Sequence, residues 1–226
     1  MKLRSVFRPL ATFLVLTLSL AQSAVAEGRF ALVVGNEAYT GVSPLDNPVS
    51  DARLVAAALT GKGYEVTLVT NADQGTLNRA IAKFGRSLRS GGEESTGLFY
   101  YAGHAVQSFG ANYLLPVDVS LTDAADLSLV AVRADAVLRQ MASAANRANI
   151  VILDACRNNP FVDVPDMNDN GLAEMKAPTG TFMAYSTAPG SVALDGVGGN
   201  SPFTAALVTE MDTPGLTIEQ AFKRVR

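Results

Sequence analysis

Ile150-Val151-Ile152-Leu153-Asp154-Ala155-Cys156-Arg157-Asn158-Asn159-Pro160 decides how the chain is read. Four apolar residues, three of them β-branched, predict a buried strand, and the polar break after them sets Cys156 at the strand's C-terminal tip. Cys156 is the only cysteine, so it makes no internal disulfide and is either a small buried hydrophobe or a nucleophile. The only histidine, His104, lies 52 residues upstream in Leu98-Phe99-Tyr100-Tyr101-Ala102-Gly103-His104-Ala105, another short apolar run that ends in a polar switch. The two singletons hold the same position on two predicted strands.

Outward from these two strands, the chain alternates between two hydrophobic periods. Arg29 to Gly35 reads as a first strand, followed by a loop from Asn36 to Pro48. A helix from Asp51 repeats Ala52, Val55, Ala56 and Leu59 at three- and four-residue steps and stops at Gly61 and Gly63. A second strand covers Tyr64 to Val69, and Asp73 caps a helix that runs to Ser90. The third strand runs from Gly97 to Ala102 and ends at His104; a short extended piece over Asn112 to Asp118 and a helix over Ala134 to Ala145 precede the Cys156 strand. Such alternation predicts an α/β fold with a mostly parallel sheet covered by helices on both faces. In such sheets ligands bind at the C-terminal ends of the strands, where both singletons sit. After Asn158 periodicity gives way to Asp, Asn, Pro and Gly, and residues 161–179 read as a polar surface linker. A fifth strand at Thr181 to Ser186, a glycine-rich loop from Gly190 to Gly199, and helices from Ser201 and from Thr217 follow. No cap, glycine or proline marks the end at Arg226, so the expectation is a domain truncated at its C-terminus.

At 226 residues the chain suits one large domain or two small ones, and 48% hydrophobic residues are ample for a core. Residues 1–26 stand apart: Lys2, Arg4 and Arg8 precede an uncharged, mostly apolar run from Leu10 to Leu20, and Ala24-Val25-Ala26 fits a signal-peptidase site. The reading is a cleaved signal peptide and an exported protein, periplasmic or extracellular, with a membrane involved only if the segment stays uncleaved. Residues 27–226 then carry 15 cations against 21 anions, a poor balance for nucleic acid. A thiol sent into an oxidising compartment is a liability, which favours a chemical role for Cys156.

A cysteine becomes a nucleophile when an imidazole takes its proton. The order of histidine and cysteine, together with Ala155-Cys156-Arg157, approaches the caspase signature in which the histidine lies about 50 residues upstream. Three segments, Tyr101-Ala102-Gly103-His104, Leu153-Asp154-Ala155-Cys156-Arg157 and Ala184-Tyr185-Ser186-Thr187-Ala188-Pro189-Gly190, agree in order and spacing. On these the chain resembles the caspase-like clan of cysteine peptidases, on the metacaspase and paracaspase side. The resemblance implies a caspase-like three-layer sandwich over residues 27–226, with 27–160 similar to the large subunit and 180–226 to the small one. It implies peptide hydrolysis through a Cys156 thioester, with His104 as general acid and base, and an oxyanion held by backbone N–H groups of Gly103, Ala105 and Cys156. Family members usually carry glycine where Ala105 stands, so a methyl group there is expected to crowd the oxyanion or to forbid a needed φ.

The resemblance also places acids where caspases keep the pocket that selects aspartate. Asp154 takes the place of their glutamine, Asp195 stands near one of their arginines, and Asp51 is similar to a pocket acid of metacaspases and paracaspases. Together they imply cleavage after Arg or Lys. Read alone, Asp51 caps its helix and Asp195 is a solvated turn residue. Lys176, the only basic residue between Arg157 and Lys223, is the candidate self-cleavage point. Asp163, Asp166, Asp169 and Glu174 lack the regularity of a calcium loop, so no cofactor is required and calcium is left only by analogy with some metacaspases. Three readings stay open at this stage: a cysteine endopeptidase acting on peptides or proteins, a non-catalytic caspase-like binding module marked by Ala105, and a doubly wound binding domain whose Cys and His are coincidental. The oligomeric state is not written in the residues.

Overall fold

The computed structural model describes residues 27–156, 159–167, 171–186 and 199–226, and only the backbone of Cys156. Five parallel strands form its centre in the order β2 (Glu65–Thr70), β1 (Arg29–Gly35), β3 (Thr96–Ser108), β6 (Ala148–Cys156) and β7 (Thr181–Tyr185). Because side chains alternate across a strand, each buried strand feeds two cores at once. Leu32, Val34, Phe99, Tyr101, Val151 and Leu153 face α2 (Gln74–Gly91) and α4 (Ala134–Ala142), where Phe84, Leu88, Val137 and Met141 meet them. Ala31, Val33, Leu98, Tyr100 and Ile152 face the opposite layer, built from α1 (Pro48–Gly61) and α5 (Pro202–Met211), with Phe222 and Val225 of α6 (Ile218–Val225) at its margin. The three-layer sandwich expected from the alternation is the fold observed.

Four differences from the sequence reading bear on the site. The third strand does not stop beside His104 but runs on to Ser108 and changes partners. Up to His104 it is parallel to β6; from Ala105 it turns antiparallel to β4 (Ala111–Leu114), which pairs with β5 (Val132–Arg133) beyond a single 3-10 turn and the four-residue helix α3 (Leu127–Val130). His104 thus lies mid-strand, at the point where the ladder reverses. The first helix begins at Pro48 instead of Asp51, because proline's fixed φ suits a first helical turn. The helix predicted to Ala145 ends at Ala142, and Ala145 itself adopts a left-handed φ of 51°. Lastly, the segment read as a polar linker is docked where it is described. Phe161 and Met167 pack with Val106, Tyr113 and Leu115 in a third cluster, while Leu172 joins the α2–α4 core. A few apolar anchors among many Asp and Pro residues hold this stretch down, and counting polar residues hid them. Residues 1–26, the signal-peptide expectation, lie outside the described residues.

Candidate active site

Strand register builds the site. In the parallel β3–β6 ladder His104 is the Cα partner of Cys156, so adjacent strands, about 4.8 Å apart, bring the two singletons side by side. The imidazole is buried, 5% exposed, and its Nε2 lies 2.9 Å from the Ser43 carbonyl oxygen. A carbonyl only accepts, so Nε2 carries the hydrogen and Nδ1 is the basic nitrogen of the neutral ring. The His104 backbone is held as firmly: its N–H donates to Tyr39 Oη at 2.8 Å, and its carbonyl accepts from Tyr101 Oη at 2.8 Å.

The neighbours of His104 explain themselves sterically. Gly103 has φ +150°, and a Cβ there would stand 2.7 Å from Tyr39 Oη and 3.1 Å from the Asn36 carbonyl oxygen. Only glycine leaves room for the tyrosine hydroxyl. Ala105 differs from the expectation attached to it. Its methyl is buried in the α2–α4 core, and its φ is not left-handed, so glycine's conformational freedom is not called on at this position. Lys176 is exposed, and Asp195 lies outside the described residues.

Two predicted pocket acids come together. Asp154, two residues before Cys156 on β6, is buried and its Oδ2 accepts from Tyr100 Oη at 3.2 Å, Ser201 Oγ at 2.9 Å and Thr204 Oγ1 at 2.8 Å. Asp51 is 2% exposed and does not cap its helix; the α1 N-cap is Asn47. Instead Asp51 Oδ1 accepts from Asn200 Nδ2 and from the Ser201 backbone N–H, each at 2.9 Å. Burial pushes the Asp51 carboxyl above its ordinary range, with the Asp154 charge adding to the rise and the bonds from Asn200 and Ser201 opposing it. Burial next to the same two carboxylates also drives the Tyr100 hydroxyl well upward, so it stays a neutral donor. The bonds from Asn200 and the Ser201 N–H use Asp51 Oδ1, and those from Tyr100, Ser201 Oγ and Thr204 use Asp154 Oδ2, so both acids are tied to the segment from Asn200 to Thr204.

The sequence reading missed Tyr39, the Ser43 carbonyl, Tyr100, Ser201 and Thr204. A signal existed for Tyr100, since strand alternation puts Tyr100 and Tyr101 on opposite faces, each needing a hydroxyl partner once buried. Nothing in the loop from Asn36 to Pro48 or in the Ser201 segment reveals long-range partners before folding. Among the described residues no group of three His, Cys, Asp or Glu side chains is placed to hold a metal ion.

A family model described as the caspase domain matches residues 28–226. The chain belongs to the caspase-domain family. That family consists of cysteine peptidases, which accords with the order of His104, Cys156 and the sheet that pairs them. This caspase domain is also 25% identical over 172 residues to mucosa-associated lymphoid tissue lymphoma translocation protein 1 of Homo sapiens, and equally to its homologue in Mus musculus. The match takes in 76% of this chain but only 20% of each relative, so the chain spans about a fifth of their length.

Proposed function

We propose that this caspase domain is an exported cysteine endopeptidase that cuts after Arg or Lys. The observation that carries the reading is the pairing of His104 with Cys156 across β3 and β6, with Nε2 given to the Ser43 carbonyl. His104 Nδ1 takes the Cys156 proton, and the thiolate sulfur bonds to the carbonyl carbon of the scissile peptide. The oxyanion is met by backbone N–H groups around Gly103, Ala105 and Cys156; the His104 N–H is already committed to Tyr39. The C–N bond then breaks as His104 returns the proton to the leaving amine, leaving a thioester. Water attacks the thioester, His104 takes its proton, and the carboxylic product departs with the thiol restored.

The two buried carboxylates of Asp51 and Asp154, close enough that the charge of one raises the pKa of the other, support a cationic side chain next to the cut bond, since a guanidinium can bond both. Asp195 joins them on this reading. The positively charged, apolar character of residues 2–20 supports export, and the exposed Lys176 supports self-cleavage, since a pocket for cations would accept it. The test uses residues 27–226, reduced, with and without calcium, against fluorogenic peptides ending in Arg, Lys or Asp. Turnover of Arg or Lys peptides, lost in Cys156→Ala, is expected; Asp turnover would overturn the pocket, and thiol-independent turnover would overturn the dyad. Lys176→Ala should remain a single band on denaturing gels under conditions that nick the parent at that position.

A further inference from the structure

We infer that Tyr39 is a positioning residue for the imidazole of His104, an assignment that rests on the peptidase reading above. At residue 103 the third strand passes the end of β1, whose register stops at Gly35 opposite Ala102; on that side the Leu115 N–H reaches the His104 carbonyl at 3.0 Å, and the ladder has a gap at the His104 N–H. Tyr39 fills that gap from the loop that follows β1. It is 6% exposed, its hydroxyl accepts the His104 N–H at 2.8 Å, and its ring lies 4.7 Å from the imidazole, centre to centre, tilted by 52°. Four residues later the same loop supplies the Ser43 carbonyl to Nε2. Backbone, ring and one nitrogen of the histidine are therefore gripped by residues 39–43.

The loop can hold this geometry because it is anchored elsewhere. Asn71 Oδ1 accepts from the Glu37 and Ala38 N–H groups, the Thr40 N–H donates to the Val117 carbonyl, and Glu37 Oε2 accepts from the Val49 N–H. The tyrosine hydroxyl sits in a polar knot with Tyr101 Oη at 3.3 Å and the Leu115 carbonyl at 3.4 Å, so it has acceptors for its own proton while it receives the His104 N–H. Gly103 is the complement of this arrangement, since any side chain there would occupy the place of the hydroxyl.

Tyr39→Phe removes the hydroxyl and keeps the ring. Looser placement of the imidazole should lower kcat roughly tenfold, and KM for the Arg peptide should stay within about twofold because the pocket acids are untouched. A second readout needs no turnover. His104 is the only histidine, so its two ring nitrogens give isolated 15N signals. The parent should show a single tautomer protonated at Nε2, and Tyr39→Phe a mixture of tautomers, with both spectra recorded well below the melting transition of the variant. Unchanged tautomer and kcat in Tyr39→Phe would overturn the assignment; so would an activity loss that merely follows the folded fraction while the 15N signals of the folded protein keep the parent pattern. If the parent cuts no peptide, the peptidase reading fails separately, and the 15N comparison alone decides the role of Tyr39.

Discussion

Asp51→Asn should make the protein more stable and a worse enzyme for cationic substrates. The amide oxygen can keep the bonds from Asn200 Nδ2 and the Ser201 N–H, so the link to α5 survives. What disappears is a negative charge that burial penalises and Asp154 repels. The folded-state pKa of Asp51 is raised above its ordinary 3.8, so the stabilising contribution of this group is full below pH 3.8 and is lost as pH rises through the raised value. The asparagine variant does not suffer that loss. Its advantage in urea melts should therefore be near zero at the acid end and grow toward neutral pH, appearing as a rise of a few degrees in Tm at pH 7. Catalysis moves the other way. A charge-assisted bond to a guanidinium is worth about 1.5–3 kcal/mol, so kcat/KM for an Arg peptide should fall by roughly 10- to 100-fold. In the parent, Arg-peptide affinity should rise with pH across the same window as Asp51 ionises. Parallel urea melts from pH 4 to 8 and peptide kinetics test both arms. A variant that is less stable at pH 7, with a deficit independent of pH, would refute the burial argument, and unaltered Arg turnover would refute the pocket.

Two more substitutions probe the same architecture. Gly103→Ala should cost about 2 kcal/mol of stability and most of the activity, because the new methyl meets Tyr39 Oη and the backbone φ is one that alanine avoids; circular-dichroism melts and peptide turnover check it. Thr204→Val keeps the shape and removes one donor from Asp154 Oδ2, so KM for Arg peptides should rise about five- to tenfold with little change in kcat, and an equal fall in kcat would contradict the assignment of Thr204 to the pocket.

The layers of the fold were legible because β1, β3 and β6 are apolar on both faces, while α1, α2 and α4 repeat at helical spacing. His104 and Cys156 were legible as candidates because their chemistry coincided with predicted strand tips, whereas Asp51 and Asp154 became candidates only through the resemblance, and Asp51 read alone suggested a helix cap that it does not form. The turn of β3 at His104 was not legible, since a change of strand partner leaves no mark in hydrophobic period: Ala105 and Val106 continue the run that precedes them. The partners of the site were illegible for a related reason. Tyr39 and Ser201 are polar residues in loop and cap positions, where local sequence accounts for them fully, and their second roles come from contacts with segments 65 and 47 residues away. Phe161, Met167 and Leu172 show the limit of composition, because these buried side chains sit in a stretch whose Asp, Asn and Pro residues read as polar linker.

The clasp between the two pocket acids and the Ser201 segment has a consequence for the integrity of the molecule. Asp51 and Asp154 belong to the part of the chain before Lys176, and Asn200, Ser201 and Thr204 to the part after it. The same two parts share the β6–β7 ladder and the layer in which Leu207 packs with Val55 and Leu59. A cut at Lys176 would therefore leave two polypeptides that travel as one particle, separable by detergent but not by dilution, with the buried carboxylates of Asp51 and Asp154 serving as the rivet between them.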